Sequence, residues 1–239
     1  MKFNWNYFKI LILIVLSMGF YAFSDHKSSQ KNATKINIDF VGNQNLYLTE
    51  ETVNKLLIVN YGRVENMPKE KLDLNTIEKV IKANEMVKSA QVFLSVDGEL
   101  TSRIIQRRPI GRVEGVVKFY LDNEGKRMPL SKNHSARVPL VTGKITDVSL
   151  EKVYTLLKRI NEDDFFRKNV IGIHVKKNEK CLLKLRMENF VVQIGAVNNL
   201  EEKFRKFKAF YSKAKKDNAL RKYIKVSLEY KNQVVCTKK

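Results

Sequence analysis

Between Ile36 and Gln106 the spacing of apolar residues switches from two to three or four and back to two, and few folds accommodate that order. Ile36, Ile38 and Phe40 alternate as a strand, which Gly42-Asn43 ends. Thr49 can cap a helix carrying Val53, Leu56 and Leu57 on one face. After a loop around Pro68, Asp73 or Asn75 can cap a second helix; Asn75 and Glu78 have capping-box spacing, and Ile77, Val80 and Ile81 form its apolar stripe. Val92, Leu94 and Val96 return to strand alternation, Asp97-Gly98 signals a hairpin, and Leu100 to Gln106 runs back as a third strand. A β-α-α-β-β unit of this size buries its apolar faces by laying the helical pair on a small sheet, an α+β solution. Pro109 lacks a ladder donor and sets the boundary, so the first unit is expected over residues 36–108.

A second unit is expected over 109–235, a mixed β domain with flanking helices. Lys118 to Leu121 is a short β-rich run closed by the turn Asp122-Asn123-Glu124-Gly125, while Pro129 and Pro139 favour sheet edges over central strands. Ser149 can cap a helix bearing Leu150, Val153, Leu157 and Ile160. Residues 170–175, 181–185 and 190–194 alternate as strands. Leu200, Phe204, Phe207, Tyr211 and Ala214 follow a 4-3-4-3 spacing, an amphipathic helix with Arg205, Lys206, Lys213 and Lys216 outside the stripe. A final strand is expected over Lys225 to Val235, with 236–239 a frayed tail.

The N-terminal end reads differently. Ile10 to Phe23 is apolar but for Ser17 and Gly19, and extending it back to Trp5 reaches span length. Lys9 sits where its ammonium can reach headgroups, and Trp5, Tyr7 and Tyr21 where interfacial aromatics belong. Phe20 spoils the only Ala-ended cleavage site, at Ala22, so an uncleaved anchor is expected, with residues 1–9 a short cytoplasmic tail and 24–35 a polar linker. In a Gram-negative cell this topology leaves the bulk of the chain in the periplasm. Cys181 falls in a strand and Cys236 in the tail, so no disulfide between them is expected.

Composition excludes more than it selects. The 239 residues carry 45 Lys and Arg against 25 Asp and Glu, a net charge of +20, which suits nucleic acid, anionic lipid, an acidic partner or merely a solvated basic surface. Lys203 to Lys216 interleaves bases with Phe204, Phe207, Phe210 and Tyr211, but helical spacing puts three of these four on the buried stripe, and a periplasmic body would not meet nucleic acid. His26, His134 and His174 share no ligand spacing with each other or with the cysteines, Asp163-Asp164 ends a helix before Phe165-Phe166, and the glycines form no phosphate loop. No catalytic residue, metal site or cofactor is expected.

Three segments, in order, carry a resemblance: Phe40-Val41-Gly42-Asn43; Val87-Lys88-Ser89-Ala90-Gln91-Val92; and Gln106-Arg107-Arg108-Pro109. They precede Phe119-Tyr120-Leu121-Asp122-Asn123-Glu124-Gly125-Lys126-Arg127-Met128-Pro129-Leu130-Ser131 and Val138-Pro139-Leu140-Val141-Thr142-Gly143. Together these resemble the bacterial cell-division family FtsQ (DivIB), and the first unit looks like a POTRA module. The resemblance implies a single N-terminal transmembrane helix, a POTRA domain and a β domain, in a non-catalytic scaffold of the inner membrane at the septum that links early and late division proteins. It implies FtsB/FtsL-like single-span partners, with other divisome components met through the POTRA domain.

The resemblance also implies a contact. The last strand is expected to lie at a sheet edge and accept a partner strand by β-augmentation through Ser227, Leu228, Glu229, Tyr230, Lys231, Asn232, Gln233, Val234 and Val235. Tyr230 matches the family tyrosine and Gln233-Val234-Val235 the family ending, but Ser227-Leu228-Glu229 stands where the family has Asp-Leu-Arg. A POTRA-bearing chaperone or translocation component handling outer-membrane substrates is the alternative reading.

Overall fold

The computed structural model describes residues 5–29, 32–42, 46–64 and 67–239. The first residues of the expected tail, residues 30 and 31 of the expected linker, and Asn43 lie outside this description. The chain divides into two compact units, Met1–Gln106 and Arg107–Lys239.

The first unit begins with helix α1, Trp5–Ser29, which runs past Phe23 into the expected linker because no Gly or Pro stops it there. Ile10 to Leu16 are exposed apolar side chains. Among the described residues no helix is long and apolar enough to cross a membrane, so the expected span over 10–23 is not shown. Strand β1 (Lys35–Phe40), helices α2 (Glu50–Asn60) and α3 (Leu74–Lys82), and strands β2 (Val87–Leu94) and β3 (Glu99–Gln106) follow. The sheet order is β1-β3-β2, with β1 parallel and β2 antiparallel to the central β3.

Thr49 caps α2 through Thr52 N–H, and Asp73 caps α3 through Thr76 N–H, which decides between the two candidate caps. Glu78 closes no capping box. Its carboxylate pairs with Lys82 at 2.5 Å and accepts from Val92 N–H at 3.3 Å. Leu57, Ile77, Ile81, Leu100 and Ile104 are fully buried between helices and sheet.

The second unit is a nine-stranded sheet in the order β12-β11-β10-β9-β8-β7-β4-β5-β6. Its strands are β4 (Pro109–Val113), β5 (Phe119–Asp122), β6 (Arg127–Pro129), β7 (Leu140–Gly143), β8 (Val170–Val175), β9 (Cys181–Leu185), β10 (Val191–Gly195), β11 (Tyr223–Ser227) and β12 (Val235–Lys238). Helices α4 (Asp147–Glu162), α5 (Asp164–Asn169) and α6 (Leu200–Lys216) contribute to its core.

Two prolines lie at the starts of strands in this sheet, and the edge expectation is corrected for the second. Pro109 pairs with Asp122 as the first residue of β4, a position where a missing amide is tolerated. Pro139 precedes β7, which is central between β4 and β8 rather than at an edge; the Pro139 carbonyl accepts from Arg112 N–H.

The cap of α4 also moves. Thr146 is the N-cap and Ser149 the third helical residue of a reciprocal capping box, so the helix starts a turn earlier than Ser149 alone suggests. Asp163 does not open a loop: its carboxylate accepts from Phe165 and Phe166 N–H and starts α5. Gly111 on β4 lets α4 approach closely, since a Cβ there would lie 2.3 Å from a Leu157 methyl.

Candidate functional site

A partner strand needs an unpaired edge, and the large sheet has two. At one end β6 is three residues long and finishes in Pro129. Its shortness and missing donor blunt it as a template. At the other end stands β12, Val-Cys-Thr-Lys, without proline and rich in residues that suit strands.

The expected edge strand over Lys225–Val235 is corrected: it is a hairpin. Strand β11 pairs parallel to β10 through Val191↔Lys225, Val192↔Val226 and Gln193↔Ser227, and antiparallel to β12 through Lys225↔Thr237, Val226↔Cys236 and Ser227↔Val235. Residues 228–234 connect them, with Asn232 in the left-handed region at φ 60°. The expected tail is therefore the edge strand itself.

Backbone alternation fixes which groups of β12 remain available. Leu228 N–H donates to Gln193 O on β10 at 2.8 Å, and Lys239 N–H donates to Lys222 O at 2.9 Å, just ahead of β11. Successive peptide groups of a strand face opposite sides, so Val235 and Thr237 turn towards β11. Cys236 and Lys238 turn their amides and carbonyls to the open side.

The nine residues read from the sequence are thus divided among three settings. Ser227 and Leu228 are buried at the end of β11. Glu229 points back over the sheet, accepting from Gln193 Nε2 at 2.5 Å and pairing with Lys180 at 2.9 Å. Gly195, at φ +72°, makes room for it, because a Cβ there would meet the Glu229 side chain at 2.5 Å. The reversed charge at Glu229 is therefore satisfied within the chain. Tyr230 is half exposed while its carbonyl accepts from Lys206 Nζ at 2.9 Å. Lys231, Asn232 and Gln233 are exposed, Val234 packs against the core, and Val235 opens β12. Sequence reading missed Cys236, Thr237 and Lys238; their β-branched and apolar neighbours were the available signal.

Helix α6 holds this end of the sheet. Phe204 and Phe207 are buried, Phe166 stacks on Phe204 with centroids 3.7 Å apart, and Phe210 packs on Tyr223. All are core contacts, not platforms for bases. Lys203 is 7% exposed; its ammonium donates to Ala196 O and Asn198 Oδ1, and burial lowers its pKa. Burial alone would raise the Asp163 carboxyl, but the Lys208 ammonium at 2.7 Å and the Phe166 and Phe165 amides hold it below its ordinary value. Burial, then the bond to Glu188 at 2.8 Å, pushes the Tyr211 hydroxyl up to about 12, so it remains a donor. Burial pushes the Cys181 thiol up to about 11, away from reactive thiolate character.

His174 is exposed on β8, its ring 3.1 Å from the Thr142 hydroxyl. Among the described residues no group of three or more His, Cys, Asp or Glu could hold a metal ion. Caps and ion pairs account for Asp163 and Asp164.

Comparison with known families bears on the same unit. The family described as FtsQ/DivIB, C-terminal related, matches residues 108–237, more than half of the chain and the whole stretch from β4 into β12. The chain belongs to this family. Membership suggests a role in cell division and supports the resemblance carried by Phe119 to Gly143. No curated protein matches the chain.

Proposed function

We propose that this FtsQ/DivIB-related chain is a non-catalytic, membrane-anchored scaffold of the division machinery, and that it binds an extended segment of a single-span division protein along β12. The observation that carries the reading is the outward pair of peptide groups at Cys236 and Lys238 on a proline-free terminal strand, in the unit the family match covers. Backbone pairing would supply affinity, and half-exposed Tyr230 an aromatic contact beside the edge. Residues 10–23 of α1 would anchor the chain in the inner membrane with the bulk of it periplasmic, on the apolar character of Ile10 to Leu16. The β1-α2-α3-β2-β3 unit would act as a POTRA-type recruitment domain at the septum.

The test is a pull-down from native membranes in mild detergent, comparing the full chain with Cys236→Pro and read by mass spectrometry. Proline at 236 removes an outward donor but no ladder bond to β11, a placement edge strands tolerate. The expected result is recovery of small single-span coiled-coil division proteins by the unaltered chain, reduced at least tenfold in the variant. Equal recovery by both would sink the edge-strand contact. Recovery of outer-membrane assembly factors instead would sink the division reading.

A further inference from the structure

The end of β12 runs into a cleft of about 940 Å³. That is at the upper end of the ~300–1,000 Å³ of small-ligand clefts, room for a few residues of extended chain. Tyr211 of α6, Leu220 of the 3₁₀ turn Leu220–Lys222 and Tyr223 of β11 give it apolar contacts, and the amides of Asn189 and Asn218 offer both donors and acceptors. Lys239, the residue after β12, lines it as well, so the cleft begins where β12 ends.

Its charge is unbalanced. Lys215, Arg221 and Lys239 line the cleft, and the side chain of none of the three makes a hydrogen bond or ion pair among the described residues. The one carboxylate side chain in the lining, that of Glu188, already accepts from the Tyr211 hydroxyl at 2.8 Å. Next to lining residues in the sequence stand exposed Lys216, Lys222 and Asp217, with exposed Lys213 two residues before Lys215. A mainly polar groove with three uncommitted cations and a few aromatic and aliphatic contacts, at the end of a strand template, suits an extended chain bearing carboxylates.

We propose that this cleft seats an acidic flank of the same partner segment that pairs with β12, its carboxylates meeting Lys215 and Arg221. The inference rests on the edge-strand reading and adds the chemistry of the partner. β12 supplies backbone pairing that any strand could satisfy, and the cleft selects segments whose strand is followed or preceded by Asp or Glu. Long-range attraction of this kind also speeds encounter and weakens with salt.

The experiment uses the full chain in detergent and fluorescence anisotropy of labelled peptides of alternating threonine and valine. The peptides end in a run of glutamates, of glutamines or of lysines, with the run placed at either terminus. The expected result is that a glutamate peptide binds at least tenfold more tightly than its glutamine counterpart, the lysine peptide more weakly still. The preference should vanish at half-molar salt and in the double variant Lys215→Glu/Arg221→Glu, which should instead favour the lysine peptide. That inversion separates contact from mere loss of structure. Equal binding of all three peptides, or a glutamate preference that survives the double variant, overturns the proposal while leaving the β12 reading intact. In Cys236→Pro all three should lose binding; a glutamate preference that persists there would show a cleft acting without the edge and would overturn the coupling. Displacement of the glutamate peptide by millimolar inorganic phosphate would show a plain anion site and would likewise overturn it.

Discussion

Gly111→Ala asks whether the contact between α4 and the large sheet leaves room for one methyl group. Gly111 is not among the glycines with positive φ, so alanine is free to adopt the backbone conformation. On that ground alone the substitution would stabilise by about 0.4–1 kcal/mol through the unfolded chain. Packing opposes this. The added Cβ would lie 2.3 Å and 2.9 Å from the two Leu157 methyls and 3.2 Å from Cγ, and Leu157 is fully buried, so its side chain must shift within the core. Overpacking of a tight core costs about 1–3 kcal/mol and should win, leaving a net loss of about 1–2 kcal/mol. Hydrogen-exchange mass spectrometry of the full chain suits the question, because α2 and α3 in the other unit serve as an internal reference. Such a loss predicts about 5–30-fold faster exchange in α4 and β4 with no change in the reference helices. Leu157→Ala alone should cost about 2–5 kcal/mol, and the double variant less than the sum of the two, because removing the methyls removes the clash. Unchanged exchange in α4, or strictly additive losses, would refute the close approach as the reason for glycine.

Other expectations are quickly checked. Asp163→Ala should destabilise α5 by about 1–2 kcal/mol, and Asp163→Asn by less, because the amide oxygen still caps Phe165 and Phe166. The Asp163 carboxyl lies below its ordinary 3.8, so its contribution is complete above that value and is lost as pH falls through the folded value. Acid titrations of stability should therefore show a shallower loss in Asp163→Asn than in the unaltered chain. Phe166→Ala, emptying a fully buried site stacked on Phe204, should cost about 3–5 kcal/mol by denaturant titration. Tyr230→Ala should change stability by no more than about 0.5 kcal/mol yet reduce partner capture several-fold in the pull-down; a large loss of stability with normal capture would reverse the role assigned to this side chain.

Much of this architecture was visible in local patterns. The 4-3-4-3 spacing from Leu200 to Ala214 became α6, Asp97-Gly98 became the β2–β3 turn, and Thr49 became a cap, since each depends on residues within a few positions. The hairpin at the candidate site was not visible. Tyr223 to Val235 reads as one β-rich run, and its break falls at Asn232, which enters the left-handed region without the glycine or proline that usually announces a turn. Helix α5 was hidden because Asp163 serves two elements, closing α4 and capping the next. The burial of Lys203 was not legible in the sequence, because its partners, Ala196 and Asn198, lie in a loop that helical periodicity cannot describe. The central place of β7 depends on parallel pairing with β4 and β8, a long-range choice that Pro139 concealed.

The parallel pairing of β11 with β10 has a consequence for the order of events during synthesis. Between those strands the chain must complete α6, and β12 pairs only with β11. β12 is therefore the last strand of the sheet to be made, after every element of both units. A chain broken between Ser227 and Val235 keeps most of the buried residues of this unit but leaves β11 in place of β12 at the sheet edge, so the strand proposed to pair with a partner is missing.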